Sequence, residues 1–287
     1  MTHIIVATDL SERSDRALRR ATLLARDMGA KMTLITAVEG DRPQRLVVEE
    51  KRGTEALLRD MSATICNVDH ISCETRVIIA EPSQAIVQFS AEMAPDLLVI
   101  GPHRRQLFRD IFIGTTAERT IRNAPCPVLM VNAVPAAPYK NVLLTTDLSD
   151  GSRDAIERYW KMGWANYTSH SILNVFEAPI LQLTMTSAMT EQERRLHIED
   201  EKQKAAVALS TFMGKIKIKG VHPVLRHSGA ETNHEILAAA AETSADLIVL
   251  ATQSKRGLER WLLGSVTEKV LMYSEIDVLT IPQMRTD

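Results

Sequence analysis

The tetrapeptide Thr-Asp-Leu-Ser occurs twice in this chain, at Thr8–Ser11 and at Thr146–Ser149. Each occurrence follows a short apolar run that predicts a buried strand, so a carboxylate and two hydroxyls stand at or just beyond the end of that strand. Such side chains satisfy turn amides and cap helices, which needs no ligand. Alternatively, Asp9 and Asp147 accept hydrogen bonds from a ribose or purine, or hold a cation beside phosphates. The residues alone leave both interpretations open.

A second pair of segments combines a basic loop with a predicted helix start. Each loop has three basic residues against one acidic residue: Arg104, Arg105 and Arg109 with Asp110, and Lys255, Arg256 and Arg260 with Glu259. The loops lead to Gly114-Thr115 and Gly264-Ser265, where unpaired amides and the helix dipole favour phosphate binding. A glutamate three residues after each hydroxyl completes a capping box, so capping alone also explains these pairs.

These segments belong to an internal repeat, which organises the whole chain. The tetrapeptides lie 138 residues apart, whereas Ala94–Ile100 matches Ser244–Leu250 at an offset of 150 residues. The second copy is therefore longer by 12 residues, and we expect the insertion in the Met- and Thr-rich segment Ala178–Thr190. A Pro/Ala linker at Ala133–Pro138 separates the copies. We predict two domains, over residues 1–134 and 138–287.

Each copy alternates five short apolar runs with amphipathic segments, which indicates βαβ units on a parallel sheet. Right-handed crossovers restrict this pattern to a doubly wound open sheet, whose ligand crevice lies at the carboxyl ends of the strands. The tetrapeptides and the basic loops all follow predicted strands. In the second copy, a long charged helix is predicted over Met189–Met213.

Composition excludes several classes of protein. The net charge of -2 gives no overall field for nucleic acid or an anionic membrane, and 45% hydrophobic residues exclude disorder. Three cysteines form no paired framework, and there is neither a signal peptide nor a run of 18 apolar residues, so we expect a cytoplasmic protein. No nucleophile motif, P-loop or zinc-like spacing occurs, and we therefore predict neither catalytic residues nor metal ligands.

With its repeated strand ends, its Gly-Thr and Gly-Ser helix starts and a final Cys-Pro-Val-Leu-Met-Val strand, the chain resembles a tandem universal stress protein. The resemblance covers nearly the whole chain. It implies an α/β fold of two adenine-nucleotide-hydrolase-like (Rossmann-like) domains. Each would be an open five-stranded parallel sheet of order 3-2-1-4-5 with helices on both faces, and the fifth strands would pair between the domains.

The ATP-binding branch of that family is marked by the motif G-x2-G-x9-G-[S/T], from which both copies depart. The first copy has Gly101 and Gly114-Thr115 but Arg104 in place of the second glycine. The second copy has Ala251 and Ser254 in place of both early glycines, followed by Gly264-Ser265. Arg104 either blocks the approach of a phosphate or supplies a guanidinium to it.

The resemblance implies an adenine nucleotide, ATP or AMP, as the ligand, with Mg²⁺ only beside ATP. The implied contacts in the first copy are Thr8, Asp9, Ala37, Gly101, Arg104, Gly114, Thr115 and Thr116. Those in the second copy are Thr146, Asp147, Val175, Ala251, Ser254, Gly264, Ser265 and Val266. Aspartate would lie by the ribose and base, Ala37 and Val175 near adenine, and the helix starts on the phosphates.

We predict a stress-linked binding or signalling module rather than an enzyme. Its domains would pair through their fifth strands, because separated edge strands would leave unpaired hydrogen-bonding groups; a homodimer is also compatible with the sequence. One alternative is a slow ATPase, which requires a catalytic base and a magnesium site. Another is a nucleotide-free scaffold that binds partner proteins through its helical surfaces.

Overall fold

The computed structural model describes residues 2–102, 115–164, 168–178, 190–216, 218, 220–229, 231–252 and 263–283. The elements of the first copy are β1 (His3–Ala7), α1 (Glu12–Met28), β2 (Lys31–Val38), α2 (Gln44–Thr64) with a π-helical turn (Ile65–Asp69), β3 (Cys73–Ile79), α3 (Pro82–Met93), β4 (Leu97–Ile100), α4 (Thr116–Asn123) and β5 (Val128–Met130). Those of the second copy are β6 (Asn141–Thr146), α5 (Asp150–Lys161), β7 (Ser169–Phe176), α6 (Glu191–Ile216), β8 (Val221–His227), α7 (Thr232–Glu242), β9 (Leu247–Thr252), α8 (Ser265–Tyr273) and β10 (Asp277–Pro282).

The chain forms two compact units. The first contains Met1–Pro138 and Thr252–Pro282, and the second contains Tyr139–Ala251 and Gln283–Asp287. Strands of the first unit follow the order β3-β2-β1-β4-β5-β10. Neighbouring strands from β3 to β5 are parallel, and β10 is antiparallel to β5, with Leu279 opposite Leu129. This confirms the predicted α/β class with a mainly parallel sheet.

The central strands β1 and β4 of the first unit are apolar except for His3, because helices cover them. Every residue of β1 and β4 is buried. Helix α1 supplies part of this cover through Ala17, Ala21 and Leu24, which recur at helical spacing and are buried. It ends at Gly29, whose left-handed φ of 61° suits a residue without a side chain.

The second unit contains four parallel strands in the order β9-β6-β7-β8. Strands β2 and β7 begin at Lys31 and Ser169, whereas β3 and β8 begin at Cys73 and Val221, so the offset grows from 138 to 148 residues between them. Ten of the twelve added residues thus fall between the second and third strands, the interval that contains the predicted insertion. Residues 179–189 of the predicted insertion lie outside the described residues.

Helix α6 differs slightly from the predicted helix over Met189–Met213, since it runs from Glu191 to Ile216. Its buried residues are Ala205, Leu209, Phe212 and Ile216, all in the second half. Their spacing of three or four residues gives a single apolar face, which explains why the helix continues beyond Met213 to bury Ile216.

A buried carboxylate fixes β10 within the first unit. The Asp277 side chain is fully buried and accepts a hydrogen bond from Arg20 Nε at 3.1 Å. Its other oxygen accepts from the backbone amides of Asn132 (2.9 Å) and Ala133 (3.0 Å). Arg20 also donates to the carbonyl of Ala137 at 2.7 Å. The start of β10, helix α1 and the segment after β5 are therefore joined by one charged network.

Candidate functional site

The first Thr-Asp-Leu-Ser segment forms a self-contained turn between β1 and α1. Leu10 takes the left-handed φ of 60°, and its amide donates to Thr8 Oγ1 at 3.0 Å. The Asp9 carboxylate accepts from the amide of Ser11 at 3.1 Å and from the Ser11 hydroxyl at 2.5 Å. Thr8 Oγ1 also lies 2.8 Å from Ser14 Oγ, within the first turn of α1. The turn thus uses both the carboxylate and the threonine hydroxyl.

The second copy repeats this turn almost atom for atom. Leu148 has a φ of 63° and donates its amide to Thr146 Oγ1 at 2.9 Å, while Asp147 accepts from the Ser149 amide at 3.1 Å. The Ser149 hydroxyl also accepts from the Ser152 amide at 3.1 Å and so caps α5. Ser11 stands at the corresponding position before α1, but its side chain makes no capping hydrogen bond. The predicted serine cap is therefore correct for the second copy only.

Both aspartates are held in the ionised form. For Asp9, partial burial raises the pKa, but the hydrogen bonds from Ser11, with smaller contributions from Ser14 and Arg13, outweigh it, so the pKa lies below the ordinary value. For Asp147, burial is likewise outweighed by hydrogen bonds, chiefly from Ser149, and the pKa is lowered. Each turn therefore presents a negative charge at neutral pH.

A cavity of about 450 Å³ opens at the carboxyl ends of β1, β2 and β4 in the first unit. It brings together six of the residues implied for the first copy: Thr8, Asp9, Ala37, Gly101, Thr115 and Thr116. This is the edge at which a doubly wound sheet binds its ligands. Arg104 and Gly114, with the rest of the first basic loop, lie outside the described residues.

The start of α4 forms one wall of the cavity. Thr115 is the residue before the helix, and its hydroxyl accepts from the Glu118 amide at 3.1 Å, so this part of the predicted capping box is present. First-turn amides have no partner inside their own helix. Capping satisfies only Glu118, and no acceptor among the described residues is assigned to the amides of Thr116 and Ala117. Both residues line the cavity.

Packing favours glycine at position 101, whether or not a ligand binds. A Cβ atom at this position would lie 3.2 Å from the carbonyl oxygen of Arg13 and 3.3 Å from Ser14 Cα. Those distances are tighter than ordinary van der Waals contact, and the nearby atoms are backbone. The end of β4 thus passes so close to α1 that glycine fits best, a reason that the sequence did not reveal.

The implied residues of the second copy fall into two groups. In the second unit, Thr146 is buried, while Val175 and Ala251 are half-buried on β7 and β9. In the first unit, Gly264 precedes α8 with a φ of 87°. Asp147, Ser265 and Val266 complete the two groups, whereas Ser254 and the second basic loop lie outside the described residues.

The predicted capping box at Ser265 is wrong. Helix α8 begins at Ser265 itself, so the capping position belongs to Gly264, which has no side chain to accept a hydrogen bond. The left-handed backbone at Gly264 explains the shift, because glycine enters that conformation without the penalty that other residues incur.

Sequence reasoning missed several residues that line the cavity: Arg13, Ser14, Ile35, Thr36, Pro82, Ile86, Ile100, Pro102, Ala117 and Thr120. Arg13 had one signal in the sequence, its position four residues after Asp9, but that spacing does not distinguish a residue that lines a cavity from one that faces solvent. Its Nη2 atom lies 3.8 Å from Asp9 Oδ2. In the described ranges there is no group of three or more His, Cys, Asp and Glu side chains that could hold a metal ion. None of the helices described is long and apolar enough to cross a membrane.

Fold and site together define a doubly wound α/β protein with a cleft at the carboxyl ends of its parallel strands. The model described as the Universal stress protein family matches twice, over residues 1–132 and 138–282. The chain therefore belongs to the universal stress protein family, and the prediction of a tandem member is confirmed.

Individual relatives agree with this assignment. A universal stress protein of Methanocaldococcus jannaschii is 28% identical over 138 residues, which are 45% of this chain and 80% of the relative. A putative universal stress protein of Staphylococcus aureus is 26% identical over 157 residues, 52% of this chain and 95% of the relative. The crystal structure of a universal stress protein from Archaeoglobus fulgidus has a TM-score of 0.72 and 17% identity, and the match covers 98% of both chains. That likeness supports the fold.

Proposed function

We propose that this universal stress protein is a binding or signalling module that takes an adenine nucleotide, ATP or AMP, into the cavity of its first copy. The observation that carries the proposal is the cavity itself. Its volume is about 450 Å³, and it joins Asp9, Ala37 and the start of α4 at the carboxyl edge of the sheet. A ligand pocket of a few hundred Å³ with a few converging polar groups is typical of small-molecule sites.

The parts of the cavity suit the parts of a nucleotide. Thr116 and Ala117 offer first-turn amides, and the positive end of the α4 dipole favours a phosphate there. Ile35, Pro82 and Ile86 offer apolar surface to a purine. Asp9 is an ionised acceptor for ribose or base hydroxyl and amino groups. Mg²⁺ would accompany ATP and not AMP.

We also propose that the domains span residues 1–134 and 138–287 and pair through their fifth strands within one chain. The antiparallel ladder between β5 and β10, with Leu129 opposite Leu279, supports this arrangement. The free thiols of Cys66 and Cys73 support the expected reducing, cytoplasmic setting. A homodimer of such chains is compatible with the proposal.

Two other functions make different demands. A slow ATPase requires a base and a magnesium site, and Asp9 is the one acidic residue among the described residues that line the cavity. A nucleotide-free scaffold is favoured by one specific observation, namely that the turn and the Thr115 cap account for Asp9 and Thr115 without any ligand. Ligand binding separates the scaffold from our proposal.

A substitution at the first residue of α4 tests the proposal directly. Thr116→Pro removes one amide donor but suits the fold, because proline is favoured at the first helical position and Thr115 already has the extended backbone that precedes proline (φ -73°, ψ 158°). Thr116→Ala is the matched control, since it removes the side chain and keeps the amide.

Isothermal titration calorimetry with AMP and ATP gives the readout. We expect the wild type and Thr116→Ala to bind, and Thr116→Pro to bind about 10-fold or more weakly, because a hydrogen bond to a charged group is lost. Absence of binding by the wild type to both nucleotides would leave the scaffold as the better description.

A further inference from the structure

We propose that Arg13 binds the phosphate of the nucleotide and makes the first cavity select phosphorylated adenine ligands over adenosine. This inference rests on the proposed function of the same cavity. Arg13 lies in the first turn of α1, lines the cavity and has a side chain that is 43% exposed. Its guanidinium can therefore reach a ligand without being pulled out of the protein core.

Arg13 is placed on the side of the cavity where β4 ends. Its carbonyl oxygen would lie only 3.2 Å from a Cβ atom added to Gly101, the first residue after β4. Gly101 and the α4 start at Thr115 and Thr116 line the same cavity. A cation on α1 therefore lines the same cavity as the first-turn amides of α4.

Arg13 is the one cationic side chain among the described residues that line the cavity. Among the described residues that line it, Asp9 and Arg13 are the charged pair. Asp9 is held ionised, so an approaching phosphate would meet repulsion from this carboxylate. Arg13 offsets that repulsion, and its planar guanidinium can donate two hydrogen bonds to one phosphate.

The contact between Asp9 and Arg13 is weak enough for the guanidinium to bind a phosphate instead. Arg13 Nη2 is 3.8 Å from Asp9 Oδ2, which is too long for a hydrogen bond. The two side chains are 43% and 64% exposed, and an ion pair of this kind stabilises a protein very little. Replacing this ion pair with a bidentate contact to a phosphate therefore costs the fold little stability.

The second copy shows that the fold itself does not need arginine here. Gly151 stands at the equivalent position, 138 residues later, and the adjoining Thr146–Ser149 turn forms with the same hydrogen bonds. A structural role for Arg13 in the turn would predict a difference between the two turns, and there is none in these contacts. The hydrogen bonds of the turn therefore give no structural reason for an arginine at this position.

The test compares AMP with adenosine, which differ only in the phosphate, by calorimetry on the full chain. The variant is Arg13→Gln, which keeps a polar, though shorter, side chain and removes the charge. The matched control is Arg19→Gln on the same helix, an exposed position that does not line this cavity. We expect Arg13→Gln to weaken AMP binding about 10- to 100-fold and to leave adenosine binding unchanged, since a charge-assisted hydrogen bond is lost. Arg19→Gln should bind both ligands like the wild type.

The outcomes separate this inference from the proposed function. If Arg13→Gln binds AMP as tightly as the wild type, Arg13 does not contact the phosphate and the inference is wrong, while the proposed function stands. If the variant loses AMP and adenosine equally, Arg13 shapes the cavity rather than selecting the phosphate, and the inference is again wrong. If the wild type binds neither ligand, the proposed function fails and the inference fails with it.

Discussion

The two copies keep the same turn and surround it with different side chains. Each turn has a left-handed leucine, a threonine hydroxyl that accepts its amide and an aspartate that accepts from serine. Around it, Thr36 lines the first cavity, whereas its counterpart Asn174 donates to the Thr146 carbonyl at 3.0 Å. The turn is thus maintained by the same side-chain hydrogen bonds in both copies, and the copies diverge in the side chains beside it.

A second difference concerns the position of Arg13. Its counterpart Gly151 has no side chain, and the space of its missing Cβ is taken by the Gln283 amide, whose Nε2 would lie 1.7 Å away. In the second copy, the uncharged Gln283 amide thus occupies the place where the Arg13 side chain begins in the first copy. The comparison teaches that Thr-Asp-Leu-Ser marks the fold, while the residues that flank it decide what each copy can bind.

The largest effect on stability is expected at a buried charge that the first copy lacks. Asp277 has Pro127 as its counterpart in the first copy, so its buried contact with Arg20 exists once. We expect Asp277→Ala to lower the free energy of unfolding by about 3–5 kcal/mol, because the Arg20 charge stays buried without this partner. Urea unfolding measures the change.

An exposed ion pair supplies the control for that prediction. Arg45 and Glu49 are 89% and 61% exposed on α2, and Glu49→Gln should change stability by less than about 1 kcal/mol. Equal effects of Asp277→Ala and Glu49→Gln would mean that the buried network contributes no more than a surface pair.

Removing one hydroxyl from each turn tests whether the two turns contribute equally to the free energy of unfolding. Thr8→Val and Thr146→Val delete the acceptor of the leucine amide and the partner of a buried serine hydroxyl. Each should destabilise the chain by about 1–3 kcal/mol, with similar values because the contacts match. Thermal and urea unfolding give the comparison, and a clear difference between the variants would show that the turns are energetically unequal.

Substitutions at the equivalent positions Gly101 and Ala251 compare the two copies through smaller effects on stability. Gly101→Ala places a methyl group 3.2 Å from a backbone oxygen, so we expect a loss of about 1 kcal/mol and weaker nucleotide binding as α1 is displaced. Ala251→Gly at the equivalent position should cost about 0.5–1 kcal/mol, through backbone entropy alone. Unfolding and AMP titrations of both variants test this. Full binding by Gly101→Ala would show that the cavity tolerates the shift.

These contrasts also show how far the sequence leads. The α/β class and the turn residues could be predicted from periodicity and the repeat, and the family resemblance implied that Asp9, Ala37 and Thr116 converge on one cavity. The sequence did not reveal the packing demand on Gly101 or the cap at Gly264, because both depend on backbone positions. Arg13 was missed because a lone arginine in a helix has the same appearance whether it faces solvent or a cavity.

The smallest predicted effect concerns acid stability. The pKa of Asp9 and that of Asp147 are lowered in the folded chain; burial opposes this, and serine hydrogen bonds outweigh it. A carboxylate with a lowered pKa stabilises the fold above its unfolded value of about 3.9, and this stabilisation is lost as the pH falls through the folded value. Asp9→Asn and Asp147→Asn keep an acceptor for the serine amide but do not titrate.

Each variant should therefore lose less stability than the wild type on acidification below about pH 4. Because the two turns have matching contacts, the two reductions should be similar, and the double variant should show their sum, since the two sets of hydrogen bonds involve different residues. Urea unfolding from pH 5 downwards measures them. If only Asp147→Asn flattened the profile, the pKa of Asp9 would not be lowered on folding, and the two turns would differ in how they hold their aspartates.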